Sequence, residues 1–277
     1  MLKTSIIDNT LAHASDQKTV ISFKDWPPYQ TVALMPGSLP MGGVVADTPI
    51  HAFKWAPSAL AFPTREELHP SRREIDLGGL LAFVIDDVVT HDEADLIVEA
   101  SERFGYSKAA PGISTPPGMR MNKSVHWVAE EALLGTIFSR IHLLLPAAIE
   151  EDQLYNRFSH RINMYRYDAD DVFNQHTDGE WPGFGLNRER DQMVEWHGYR
   201  SRLTMLLYLN GKEDGVQGGS TRLYRQDRTW TDIEPKKGSA LFFRHGYGPH
   251  SVMHEGRLVT GTTPKYVARI NVLYAME

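Results

Sequence analysis

The chain has 277 residues, 42% of them hydrophobic, enough for a sizeable folded core. Its 35 acidic and 29 basic residues leave a formal charge of −6, the wrong sign for a protein that gains affinity by neutralising phosphates, so nucleic acid is not an expected partner. There is no cysteine, which excludes disulfides, thiolate nucleophiles, iron–sulfur clusters and cysteine-ligated zinc and leaves imidazole and carboxylate as the strong metal ligands.

Residues 1–78 mix short apolar pieces with breakers, as in Trp26-Pro27-Pro28-Tyr29 and Met35-Pro36-Gly37, and predict an irregular N-terminal arm packed on the core. Residues 79–277 form the main domain. Leu80–Ile85 reads as a strand, followed by Thr90 and Glu93 at capping-box spacing. A helix then runs through Ala94, Leu96, Ile97, Ala100 and Phe104 to Gly105. Leu133, Leu134, Ile137, Phe138, Ile141, Leu144 and Leu145 mark a second helix limited by Pro146. From Arg161 onward the texture is strands and turns: Arg161–Tyr167, Arg202–Leu209, Ser220–Tyr224, Ser239–Arg244 and Lys265–Tyr274. Strands in series after two helices predict an α+β, mainly β chain, a β-sandwich or jelly roll with flanking helices. With no disulfide and no run of about 18 apolar residues, the expectation is a soluble cytoplasmic protein without a membrane partner. The oligomeric state is not legible.

His176-Thr177-Asp178 follows the first of these strands and its turn-rich tail. In extended backbone, residues two apart face the same side, so one segment can offer an imidazole and a carboxylate to one ion. A third ligand must come from elsewhere, and His245, His250 and His254 in the loop after the strand Ser239–Arg244 all compete for it. Two histidines and a carboxylate on one face of an octahedron leave three positions open, the arrangement suited to iron(II) with a chelating cosubstrate and O₂. Along the last strand Lys265, Val267, Arg269 and Asn271 alternate; on the strand before the metal motif Asn163, Tyr165 and Tyr167 share a face. The Thr204 and Leu206 side of Arg202–Leu209 is expected to face the same cavity.

In NMYRYDADDVFNQHTDG (163–179), RSRLTMLLYLN (200–210), GGST (218–221), PKKGSALFF (235–243) and HEGRLVTGTTPKYVARINVLY (254–274), the chain resembles the prolyl 4-hydroxylase-like group of iron(II)/2-oxoglutarate dioxygenases. The resemblance covers most of the C-terminal half and implies a double-stranded β-helix, the cupin-like jelly roll. It selects His254 as the third ligand, because Lys265 follows it at about the family's spacing to the basic residue that binds the far carboxylate of 2-oxoglutarate. His176, Asp178 and His254 would then hold iron(II), with 2-oxoglutarate and O₂ as cosubstrates and ascorbate as an auxiliary reductant. Lys265, Tyr167, Arg269 and Thr204 are the expected cosubstrate residues. Asp178 favours hydroxylation, since halogenating relatives carry a small residue there. Arg120, Asn122, Glu180 and Trp181 are candidate substrate contacts. The expected reaction is hydroxylation of a C–H bond in a small molecule or amino acid, releasing succinate and CO₂. A peptidyl-proline or other protein side-chain hydroxylase, a cupin-like metalloprotein without keto-acid chemistry, and a silent sensor are the alternatives.

Overall fold

The structure, a computed structural model, describes residues 26–36, 47–108 and 118–276; expectations that fall on the remaining positions, including Gly37, Pro116 and Pro117, lie outside the described residues. The elements are β1 (Tyr29–Met35), β2 (Thr48–Phe53), β3 (Ser71–Glu74), β4 (Ala82–Asp86), α1 (His91–Phe104), β5 (Lys123–Val128), α2 (Glu131–Ile141), β6 (Ala148–Ile149), β7 (Asp152–Phe158) and β8 (Arg161–Tyr167). They continue with β9 (Phe173–His176), β10 (Pro182–Leu186), β11 (Met193–Tyr208), β12 (Thr221–Tyr224), β13 (Trp230–Ile233), β14 (Ala240–Arg244), β15 (His254–Gly256) and β16 (Lys265–Ala275).

The path of the large sheet runs β1-β2-β5-β8-β16-β11-β14-β4-β3, with β6, β7 and β10 attached to its side, and the small sheet is β13-β12-β15-β9. Apart from the parallel pair β2 and β5, the pairings on this path are antiparallel. The two sheets face each other across Leu206, Tyr208, Leu241, Phe243 and Val267 of the large one and Leu223 and Ile233 of the small one, all buried. This is the double-stranded β-helix, a sandwich whose two inner faces enclose a cavity at one end. On the opposite face of the large sheet, Ile162, Met164, Phe242, Ala268 and Ile270 pack with the apolar stripes of α1 and α2. Among the described residues no helix is long and apolar enough to cross a membrane.

The described residues before 79 include regular strands beside the irregular stretches that their breakers suggested. β1, β2 and β3 are all regular and hydrogen-bonded into the large sheet. Pro27, Pro28 and Pro36 flank β1 and leave its interior uninterrupted; a register shift between Thr31 and Ala33 breaks the period-two pattern instead.

The capping box forms as spaced. Thr90 Oγ1 accepts from the Glu93 N–H at 3.1 Å, and the Glu93 carboxylate accepts from the Thr90 N–H at 2.9 Å. The same carboxylate receives both Arg140 Nη atoms at 2.8 Å, and the two side chains are 2% and 6% exposed. Burial works to raise the Glu93 pKa, but Arg140 and the capping bond hold it below the usual carboxylate value. One side chain thus caps the start of α1, clamps α2 to it and is offset by a bidentate partner. Glu93→Ala strands a buried guanidinium and is expected to lower unfolding free energy by about 3–5 kcal/mol, whereas a Glu93→Leu, Arg140→Met double variant loses much less, both measured by urea denaturation.

Candidate metal centre and cosubstrate cavity

β9 and β15 are neighbours in the small sheet, with His176 directly opposite His254. This register sets the imidazole centroids 4.2 Å apart. Asp178, two residues past His176, brings its carboxylate to the same point, and one ligand atom from each of the three lies within 4.8 Å of the others.

Hydrogen bonding leaves the ligating atoms free. His176 Nδ1 lies 2.7 Å from the Asn174 carbonyl oxygen, and His254 Nδ1 lies 3.2 Å from that of Val252. A carbonyl only accepts, so each Nδ1 donates and each Nε2 keeps its lone pair. Burial pushes His176 down to about 3, with His254 adding to the effect, and burial likewise lowers His254. Protons therefore do not compete for these nitrogens near neutral pH.

Asp178 is held by one oxygen only. Oδ2 accepts from Thr204 Oγ1 at 2.7 Å and from Arg269 Nε at 2.9 Å, while Oδ1 has no protein hydrogen bond among the described residues. Burial would raise its pKa, but the Arg269 guanidinium, followed by the neighbouring histidines, keeps it well below the usual carboxylate range. Thr204 spends its proton on Asp178, so it must accept from His245 Nδ1 at 2.7 Å; His245 Nε2 then accepts from Ser201 Oγ at 2.8 Å, which accepts the Trp181 N–H at 2.9 Å. His245 is pushed down to about 3 by burial and then by Arg269, so this relay works with a neutral imidazole of fixed tautomer.

Behind the triad lies a cavity walled by Tyr165, Tyr167, Leu206, Thr221, Gly256 and Lys265. Lys265 is 2% exposed, its Nζ donates to the Gly219 carbonyl at 2.5 Å, and it sits 5.0 Å from the centroid of the Tyr167 ring. No carboxylate forms an ion pair with it among the described residues. Burial lowers its pKa to about 7. Gly219 has φ +70°, and a Cβ there would stand 3.1 Å from Lys265 Cδ, so both backbone and space call for glycine. The donor set suits a divalent ion taking nitrogen and oxygen ligands, and a buried ammonium without an ion pair suits the far end of a dicarboxylate.

The other residues singled out in the sequence have distinct places. Arg269 and Thr204, expected at the cosubstrate, both bond Asp178, and Arg269 also lines the cavity. Arg120 lies over the rings of Tyr165 and Phe173 at 4.8 and 5.2 Å, two residues that line the cavity. Asn122 is buried beside it, its Oδ1 3.4 Å from Arg120 Nε. Glu180 is tied to Arg202 at 2.5 Å and lines a separate surface hollow with His250. Trp181 stacks on Arg161 at 5.2 Å. Sequence reasoning missed Ser201, whose hydroxyl completes the relay behind Thr204.

A sequence model described as the 2OG-Fe(II) oxygenase superfamily matches residues 162–272. Among solved structures, the chain is similar to the viral collagen prolyl hydroxylase of Paramecium bursaria Chlorella virus-1 in its 2OG complex, at 18% identity over 72% of this chain and 99% of that one, with a TM-score of 0.48. It is similar to a Pseudomonas putida prolyl-4-hydroxylase at 16% identity, 71% and 95% coverage and a TM-score of 0.45. A Trichoplax adhaerens prolyl hydroxylase in complex with a hypoxia inducible factor oxygen degradation domain peptide fragment gives 16% identity, 70% and 83% coverage and a TM-score of 0.49. The sequence matches no curated protein. His176, Asp178, His254 and Lys265 all fall inside the matched segment, so the triad and the buried lysine lie where the chain is similar to the 2OG-Fe(II) oxygenase superfamily.

Proposed function

We propose that the chain hydroxylates an unactivated C–H bond of a small organic substrate, with His176, Asp178 and His254 holding iron(II) and Lys265 and Tyr167 holding the far carboxylate of 2-oxoglutarate. The observation that carries the reading is the pairing, in one cavity, of a triad whose ligand atoms lie within 4.8 Å of one another with a buried lysine that forms no ion pair among the described residues.

When bound, iron(II) with 2-oxoglutarate and O₂ supplies the oxidation: the keto acid loses CO₂ to become succinate, one oxygen atom entering succinate and the other the substrate C–H bond. The protein's part is placement. Two carbonyl acceptors aim the histidine Nε2 atoms, and Arg269 and Thr204 pin one Asp178 oxygen so that the other stays free. Lys265 fixes the cosubstrate's remote end by charge, with the Tyr167 hydroxyl beside Gly256 available to donate a second hydrogen bond. The apolar stretch between the two ends, Leu206 and Val267, matches the methylene carbons of the keto acid and keeps water off the lysine.

Anaerobic titration of iron(II)-loaded protein with 2-oxoglutarate is expected to develop the weak visible charge-transfer band of the chelate, and His254→Ala to abolish it. A band that survives in His254→Ala overturns the ligand assignment, and no band in iron-loaded wild type overturns the function.

Lys265→Met should weaken 2-oxoglutarate binding about 10- to 100-fold, the loss of one charge-assisted anchor. Without 2-oxoglutarate, burial holds Lys265 down to about 7, so at pH 8.5 it is largely neutral. An arriving carboxylate raises that pKa, so binding should take up close to one proton at pH 8.5 and almost none at pH 6. Calorimetry in buffers of different ionisation enthalpy measures this uptake, and its persistence in Lys265→Met would move the anchor elsewhere.

A further inference from the structure

The barrel-facing side of β8 presents Arg161, Asn163, Tyr165 and Tyr167 in alternation. Tyr165 and Tyr167 belong to the cosubstrate cavity, and Asn163 pairs in register with Arg269, the partner of Asp178. Arg161 is one step further along the same face, roughly 7 Å from Asn163 at the usual rise of a strand. It is 6% exposed. Its guanidinium lies 5.2 and 5.8 Å from the ring centroids of Trp181 and Phe184, which follow Asp178 in the chain. Among the described residues it makes no hydrogen bond and no ion pair, and its Nε is buried without a partner. A buried guanidinium left in this condition is costly, and proteins retain such a group where a ligand completes it.

Three further polar atoms in this neighbourhood are buried and unpartnered: Arg120 Nη2, His126 Nε2 and Asn271 Oδ1. His126 stands in register with Asn163, and Asn271 with Thr204, so both face the same side as Arg161. His126 Nδ1 lies 2.7 Å from Asn163 Oδ1, which makes Nδ1 the donor and leaves Nε2 as an acceptor. The charges do not balance. Asp178 is used by Arg269, a bound 2-oxoglutarate is used by Lys265 and the metal, and Arg120 and Arg161 have no acid among the described residues.

We infer that Arg161, supported by Arg120, binds a carboxylate group of the substrate, so that the enzyme oxidises a small carboxylic acid at a carbon a few bonds from that group. This rests on the function proposed above and names its substrate class. An internal residue of a polypeptide without an acidic side chain offers Arg161 only neutral carbonyls and leaves its charge without a counter-charge. The planar fork of a guanidinium between two aromatic rings fits the flat, two-oxygen carboxylate, and the acceptor on His126 fits an O–H or N–H elsewhere on the same small molecule.

The test uses protein loaded with iron(II) and saturating 2-oxoglutarate under anaerobic conditions, so that Lys265 is already occupied. Hexanoate and benzoate are titrated against their neutral amides, hexanamide and benzamide, and against inorganic phosphate. Perturbation of the charge-transfer band and the melting temperature are followed in wild type, Arg161→Gln and Arg161→Lys. The carboxylates should perturb the band and stabilise wild type at concentrations at least tenfold lower than the amides. Arg161→Gln should need at least about tenfold more carboxylate, the loss of one charge-assisted contact, with Arg161→Lys between the two. Without probe, Arg161→Gln should melt no lower than wild type, because it removes an unpaired buried charge.

Equal responses to acid and amide, a wild-type response in Arg161→Gln, or a fall of more than about 2 °C in its probe-free melting temperature overturns the inference. Phosphate acting through Arg161 at lower concentration than either acid overturns the carboxylate assignment in favour of a phosphorylated substrate. Failure of the band to form at all strikes the proposed function instead, and the band in each variant shows that it is loaded.

Discussion

The cavity depends on how one carboxylate oxygen is held. Asp178 Oδ2 takes a charged bond from Arg269 and a neutral one from Thr204, and both donors are rooted in adjacent strands at the centre of the large sheet. Asp178 itself follows β9 of the small sheet, so this oxygen is a tie between the two layers of the sandwich. The tie also settles the electrostatics: the carboxylate stays ionised despite burial because Arg269 offsets the loss of water. The neutral relay through His245, Ser201 and the Trp181 N–H orients Thr204 without adding a second charge to a crowded interior.

Much of this was legible in the sequence because it follows from short-range rules. The capping box at Thr90 and Glu93, the stop at Gly105, the stripe of α2 and the strand Arg161–Tyr167 are each written in a handful of adjacent residues, and each is present. His176, Asp178 and His254 are brought together as expected, and the paired strands β9 and β15 explain how a histidine so distant in sequence arrives. The choice among His245, His250 and His254 was not decided by periodicity, since a loop has none; the resemblance chose His254. In the structure His245 is locked behind Thr204 and His250 is on the surface.

What the sequence did not disclose is partnership. Arg269 and Lys265 sit on the same face of β16 and looked equivalent, yet Arg269 pairs with Asp178 while Lys265 forms no ion pair among the described residues. Thr204 faces the interior as its strand position implied, but whether its hydroxyl meets ligand or protein depends on Asp178, which comes from another segment. Arg161 was passed over because a single arginine at the start of a strand is ordinarily a solvated end residue; only tertiary burial makes it unusual. The strands β1, β2 and β3 were missed for a related reason, since their partners β5 and β4 decide their conformation more than their own short patterns do.

β9 and β15 are four and three residues long, and their register places one proposed ligand on each. Strand pairs so short hold weakly by backbone bonds alone. An ion gripped by both histidines and by Asp178 would act as a cross-link closing a long loop of the chain, so that metal loading and completion of the small sheet become a single thermodynamic event. The amount of folded, protease-resistant protein would then follow the supply of metal as well as the rate of synthesis.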